Sequence, residues 1–267
     1  MNNAPSKAAL ARSLGVSRQS LYYRPRRPAK DEVLRERILA TLKDHPAYGH
    51  RRIALALKRN KKFILRVMRL YHIRPTITRK GRYQRFQREI TPTAIPSRLK
   101  EFCPIQPDAI WVGDFTRLWF HSRYVYLATV MDFFTREVVA WQLGLHHTTR
   151  LVLDVLEEAE RKRGRGPQLF HSDQGSEYTS QMCVQWLIRH NIIPSNSPKG
   201  KPWTNGRQES FYSTFKLEFG SAHSYKTVEQ LTEAIGRFIH YYNTRRIHSS
   251  LKMPPRQFYT TKKRPSS

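Results

Sequence analysis

The chain has 267 residues and carries 48 Lys and Arg against 20 Asp and Glu, a formal net charge of +28. Its two cysteines, Cys103 and Cys183, form no C-x-x-C, which argues against a disulfide framework or a cysteine zinc site. No run approaches about 18 apolar residues and the N-terminus has no apolar h-region, so the expectation is a protein of the reducing cytoplasm that neither spans a membrane nor is secreted.

The charge is unevenly spread. Residues 1–100 hold 26 basic and 5 acidic side chains, whereas residues 101–267 hold 22 and 15. Such an excess implies a polyanionic partner, and nucleic acid is the commonest. An aromatic content of 12% argues against a disordered basic tail.

Residues 1–24 form a helix-turn-helix-like segment in this reading. A short helix from Lys7 ends at Gly15, Ser17 caps a second helix and Pro25 stops it. Arg18 lies in that second helix and is a candidate DNA contact. A plain helical hairpin fits the same pattern. Residues 25–73 suit a basic helical DNA-binding domain. Its first residues, 24–30, read as a linker kept extended by Pro25 and Pro28. Apolar positions 34, 38, 39 and 42 then have helical spacing. Tyr48 to Ile53 breaks and restarts a helix, and Phe63 to Tyr71 gives another. Arg51, Arg52, Arg66 and Arg69 are the candidate DNA contacts here, on a basic outer face. Residues 74–104 form a basic linker in which Arg79, Lys80 and Arg82 track phosphates while Tyr83 and Phe86 stack.

From Ala109 the pattern changes. Residues 110–116, 123–132 and 136–145 predict a three-stranded antiparallel start. A helix over 149–163, a strand through 168–170, a helix over 180–190 and a short strand at 192–193 follow. The order β-β-β-α-β-α-β-α predicts an α/β fold with a mixed five-stranded sheet and flanking helices over residues 105–225. Residues 195–206 read as a polar loop, with Lys199 and Lys201 as further candidate DNA contacts and Arg207 just beyond. Asn205 and Gln208 then predict a capping box, with Phe211, Phe215 and Phe219 inward and Glu209, Tyr212, Ser213 and Lys216 on another face. Residues 226–267 hold a last capped helix and a basic tail, frayed from Lys262.

Three acids stand out. Asp114 lies within the first strand, Asp173 ends a later strand, and Glu209 lies in the first turns of a helix, with 35 residues between it and Asp173. Carboxylates suit hard divalent cations, and a pair of ions flanking a phosphate clamps both the attacking and leaving oxygens of phosphoryl transfer. Asp132 and Glu177 compete as candidates. Asp132 precedes a tight turn and is expected to cap it, and Glu177 is expected to be solvated. His146, His147 and His171 lack the paired spacing of a zinc site and are expected to be structural or to contact phosphate.

Four stretches carry a family resemblance: Trp111 to Thr116, His171 to Tyr178, Gly206 to Lys216, and Tyr241 to Leu251. Together they resemble the DDE transposases of the IS3 insertion-sequence family (the OrfB product) and, more distantly, retroviral integrases. The resemblance implies an RNase H-like core in which Asp114, Asp173 and Glu209 bind two Mg²⁺ ions, with Mn²⁺ able to substitute. It also implies that Lys216 contacts the DNA end and that small helical domains of helix-turn-helix type precede the core. The implied partners are double-stranded DNA, further copies of the chain, and an OrfA-type helix-turn-helix and leucine-zipper protein. Residues 1–40 show no sustained heptad of their own. Two departures are visible: Thr204 stands where many relatives have Asp, and the segment between Ile53 and Phe63 is short.

The expected function is Mg-dependent cleavage and strand transfer of DNA. A non-catalytic DNA-binding regulator and a plain RNase H-like nuclease are the alternatives.

Overall fold

The computed structural model describes residues 6–22, 27–78, 95–99, 101–102, 105–197 and 206–263. Arg79, Lys80, Arg82, Tyr83, Phe86, Lys199, Lys201, Thr204 and Asn205 lie outside that set.

Helix α1 spans Lys7–Ser13, with the Ser6 hydroxyl accepting from the Ala9 amide. Gly15 takes a positive φ of 62°, which a residue without Cβ adopts without strain. The second element of the expected helix-turn-helix is a five-residue 3-10 helix, Arg18–Tyr22, and not an α-helix. Pro25 follows too soon for an α-helical ladder to propagate, since nucleating a turn is costly and propagation is short. The linker expected over 24–30 is also corrected. Helix α2 starts at Arg27 and runs to Asp44, taking in Pro28. Proline is tolerated in a first helical turn because its missing N–H would have no partner there.

Helices α3 (His50–Ala56) and α4 (Lys61–Leu70) complete a small bundle. Asn60 caps α4 by accepting from the Lys62 amide at 2.8 Å. Leu34, Ile38, Leu42, Tyr48, Ile53, Ile64, Val67 and Met68 form its core. The i, i+3/i+4 spacing of those residues accounts for the three helices meeting on one side.

The main sheet has strands β1 (Ile110–Phe120), β2 (Arg123–Asp132), β3 (Val138–Gly144), β4 (Leu169–Ser172) and β5 (Ile193–Asn196). Their order is β3-β2-β1-β4-β5, with β1–β2 and β2–β3 antiparallel and β1–β4 and β4–β5 parallel. This is the RNase H-like arrangement. The expected polar loop from 195 is corrected, because Ser195 and Asn196 belong to β5 and are buried. Pro194 looks like a strand breaker, but β5 is an edge strand, where proline costs no central ladder bond.

Side chains alternate between the faces of the sheet. Trp111, Ala128, Val130 and Ala140 pack under α5 (Thr149–Arg163), α6 (Ser176–Thr179) and α7 (Gln181–Arg189). Val112, Leu118, Val125 and Leu127 meet α8 (Gly206–Phe219) and α9 (Val228–Thr244) on the other side. Phe211 and Phe215 of α8 are almost fully buried there, each contributing about 1.5–3 kcal/mol of apolar burial. Tyr212, expected on a different face from the three phenylalanines, is buried as well, because α8 lies between sheet and α9 and has two covered sides.

The end of the chain is tied down in ways periodicity does not reveal. Helix α10 (Pro255–Lys263) takes in Lys262 and Lys263, the first two residues of the tail expected to fray, and the rest of that tail lies outside the described residues. Arg163, at the end of α5, sits 2.9 Å from Asp108 and 2.8 Å from Glu137, and Arg256 of α10 reaches Glu137 at 2.7 Å. Asn243 of α9 makes two hydrogen bonds to edge strand β3, accepting from the Val138 amide and donating to its carbonyl. Arg246 is 2% exposed and grips Glu218 of α8 with Nε and Nη2. The Ile247 amide donates to the Tyr48 hydroxyl at 2.6 Å, so the N-terminal bundle is seated on this same turn.

Candidate active site

The parallel register pairs Val112 with His171. Asp114 lies two residues beyond Val112 in β1, and Asp173 directly follows Ser172, the last residue of β4, close enough for its charge to raise the Asp114 carboxyl. Gly113 makes room for the Phe170 ring between β1 and β4, since a Cβ there would collide with it.

Asp173 rests on a shelf built by β4 and β5. Its carbonyl accepts from Asn196 Nδ2 at 2.7 Å, and its Oδ1 accepts from the Gly175 amide at 2.9 Å. His171 is fully buried, with Nδ1 2.9 Å from Ser195 Oγ and Nε2 2.9 Å from Ser197 Oγ. Burial lowers its pKa to about 4, so the ring is a neutral strut. The Ser195-Asn196-Ser197 run was missed as a support because a polar stretch beside a proline looks like solvent-facing loop.

Helix α8 carries Glu209 past the same strands. Its register is fixed by two buried side chains that flank the glutamate. Gln208 Nε2 lies within 3.2 Å of the Val112 and Thr129 carbonyls and the Thr129 hydroxyl. The Tyr212 hydroxyl donates to the Asp114 carbonyl at 2.6 Å and meets Thr129 Oγ1 at 2.8 Å. The capping role expected of Gln208 is therefore corrected: its side chain is spent on the sheet. The four-residue spacing of Gln208 and Tyr212 was the available signal, since it puts both on one helical face.

The field at the site is acidic. Burial, then Asp173, then Glu209 push the Asp114 carboxyl up to about 8, against the pull of the Phe115 amide and Lys216. Asp114 keeps part of its surface accessible, and Asp173, Glu209 and Lys216 are exposed. Neither aspartate has a Lys or Arg ion-pair partner among the described residues, despite the net charge of +28. All the donors are carboxylate oxygens, the set a hard cation prefers. Among the described residues, however, no three His, Cys, Asp or Glu side chains stand in a ready-made metal cluster.

The competing acids resolve differently. Asp132 accepts from the amides of Asp108 and Thr135 and from the Thr135 hydroxyl, which is the turn-cap expected of it. Glu177 is buried, not solvated as expected, with Oε1 2.7 Å from His147 Nδ1. The short helix α6 turns it back beneath β1 and β2, where His147 packs on Phe115 and Tyr126.

An integrase core domain family matches residues 104–202, and a second integrase core domain family matches residues 190–255. The transposase of insertion sequence element IS904 from Lactococcus lactis is 33% identical over 241 residues, covering 85% of this chain and 94% of that protein. The chain belongs to the insertion-sequence transposases. The putative transposase InsK of IS150 from Escherichia coli is 30% identical over 253 residues, covering 91% of this chain and 89% of that one. The catalytic core of HTLV-2 integrase overlays 58% of this chain and 98% of its own at a TM-score of 0.45 and 19% identity, too loose a likeness to add to the strand order.

In this transposase the basic residues singled out by sequence have unlike surroundings. Arg18, Arg51 and Arg69 are exposed. Arg66 is exposed but pairs with the buried Asp31 through both terminal nitrogens. Arg52 is largely enclosed, with its guanidinium 5.6 Å from the Tyr48 ring, and burial and Arg246 lower its pKa. Arg207 stacks 3.6 Å from the Phe133 ring and bonds the Phe133 carbonyl, and burial brings its pKa down to about 10. Among the described residues no helix is long and apolar enough to cross a membrane.

Proposed function

We propose that the chain cleaves DNA at the ends of an insertion sequence and joins them, as a divalent-metal-dependent polynucleotidyl transferase of the IS3 type. The carrying observation is that Asp114, largely buried and close to the charges of Asp173 and Glu209, has its carboxyl pushed up to about 8, while neither aspartate is ion-paired to a Lys or Arg among the described residues. Family membership supports the same reading, because the relatives are transposases by name.

In this reading Asp114, Asp173 and Glu209 hold two Mg²⁺ ions, or Mn²⁺ in their place. Bound there, the ions would polarise the scissile phosphate and activate the attacking oxygen. The two aspartates are fixed by strands and shelf, and rotation of the Glu209 side chain completes the set. Lys216 lies seven residues past Glu209, two turns along the same face of α8, and holds a phosphate of the DNA end. Water first hydrolyses a phosphodiester at the element end, freeing a 3′-OH. That 3′-OH then attacks a second phosphodiester in line, and joining the two ends of one element gives a circle. The exposed Arg18, Arg51 and Arg69 would neutralise backbone phosphates, as would Arg79, Lys80, Arg82, Lys199 and Lys201. Two ends must be held together, so the active form is a dimer or larger, and an OrfA-type protein supplies further DNA recognition.

The test uses labelled element-end DNA with Mg²⁺ or Mn²⁺. Asp114→Asn, Asp173→Asn and Glu209→Gln should each lose cleavage and joining by several orders of magnitude while keeping DNA affinity. Normal strand transfer by any of the three would sink the proposal. DNA binding indifferent to EDTA with no nicking would indicate a regulator, and cutting of RNA–DNA hybrids without joining would indicate a plain nuclease.

A further inference from the structure

The β1–β2 hairpin has two unlike faces. Leu118, Phe120, Val125 and Leu127 are buried on the side of α8 and α9. On the opposite face α5 covers the inner half, around Ala128, Val130 and Ala140, and leaves the outer half bare. There Trp119 is 50% exposed and Tyr124 42%. The two are direct cross-strand partners, with ring centroids 4.8 Å apart in an edge-on arrangement. The Arg117 guanidinium lies 5.1 Å from the Tyr124 ring.

The row of rings continues inward. Tyr126 pairs with Arg117 across the hairpin, and His147 stands 5.3 Å from Tyr126 and 4.2 Å from Phe115. Phe115 directly follows Asp114. Trp119 is four residues beyond Phe115, roughly 13 Å at the rise of an extended strand. The ladder therefore starts one residue past Asp114 on the same strand, on the opposite face of the sheet, and leads away from it. The charged or basic side chains from 115 to 127 are Arg117, His121 and Arg123, and no Asp or Glu lies in that span.

We propose that this face is a stacking platform for unpaired nucleotides of the bound DNA. Cross-strand pairing explains why Trp119 touches Tyr124, but not why both stay half in water beside an arginine. Every base has a π-face, and an exposed ring with a neighbouring guanidinium takes bases and phosphates together. A duplex hides its base faces in its own stack, so the ligand is a frayed or single-stranded terminus. The acid nearest the row, Glu177, is buried against His147 at its inner end, and the exposed outer end carries Arg117, which suits a polyanion. The inference rests on the DNA-processing reading above.

The experiment measures anisotropy of labelled DNA in EDTA, so that no chemistry intervenes. One probe is a blunt duplex and the other carries a short oligo-dT overhang. Wild type should favour the overhang by about tenfold, the worth of one well-stacked base. Trp119→Ala and Tyr124→Ala should each remove most of that preference and leave the blunt duplex bound as before, while Trp119→Phe keeps it. The double variant Trp119→Leu/Tyr124→Leu retains apolar area without a π-face and should behave like the alanines. If the leucine pair keeps the preference, the face is an apolar protein contact and the proposal is overturned. Equal wild-type affinity for both probes also overturns it, while blunt-duplex binding leaves the underlying DNA reading intact. Failure to bind either probe removes both.

Discussion

The Tyr212 hydroxyl donates to the main-chain carbonyl of Asp114 at 2.6 Å, joining α8 to β1 at the residue whose carboxyl is raised by burial and by Asp173. A helix that slid by one residue would lose this bond and the Gln208 contacts together. Tyr212→Phe should therefore cost about 1–3 kcal/mol in denaturant unfolding, because a buried carbonyl and the Thr129 hydroxyl lose their shared partner. DNA cleavage should fall while DNA affinity stays. Unchanged unfolding and cleavage would mean that this bond does not position α8.

Metal binding should depend on pH. Asp114 must lose a proton held at about 8, largely by burial and then by Asp173. Apparent Mg²⁺ affinity should rise between about pH 7 and 9, with proton uptake by the buffer visible in calorimetry. The stability sign is the reverse of that of a salt-bridged aspartate. The folded carboxyl binds its proton more tightly than the unfolded one, whose value is 3.8, so metal-free stability falls as pH rises from about 4 to about 8. Asp114→Asn should flatten that fall in thermal melts with EDTA. Parallel melting profiles for the two proteins would contradict it.

His171 gives a second pH window. Its folded value is lowered to about 4 from 6.5 by burial, so the unfolded chain binds more protons between those limits. Stability should drop as pH falls from about 6.5 to 4 and show no further His171 contribution below that. Ser195→Ala with Ser197→Ala should destabilise at neutral pH, since both ring nitrogens lose partners. An NMR titration of the ring near 6.5 would contradict the buried assignment.

Much of the sheet was legible because its strands are runs rich in Val, Tyr, Trp and Leu bounded by turn residues, and its helices are capped. Residues 123–132 and 149–163 are bounded by turn and cap residues, and the structure begins and ends β2 and α5 there. Elements held by tertiary contacts were less legible. Helix α10 depends on Arg256 finding Glu137, 119 positions away, which no local period records. Glu177 misled for a similar reason: its polarity suggested solvent, but its partner His147 comes from the chain before α5. At the site, the three acids were recognisable by motif. Gln208 and Tyr212 were not, because local cap chemistry competes with burial and only the tertiary fold decides between them.

Arg246 and Glu218 form a nearly solvent-free pair with both Nε and Nη2 engaged. Arg246→Ala should cost about 3–5 kcal/mol, because an uncompensated carboxylate stays buried. Arg246→Lys should recover little, since a point charge cannot reproduce the two-pronged geometry. Wild-type stability in Arg246→Ala would contradict this account.

The seat of Tyr48 beneath Ile247 bears on how the molecule can be dissected. An excised C-terminal half starting near residue 105 would uncover Tyr241, Ile247 and the enclosed Arg246 turn together, and so present a sticky surface absent from the intact chain. Supplying the helical piece as a separate polypeptide should restore solubility, because the two parts are complementary halves of a common interface.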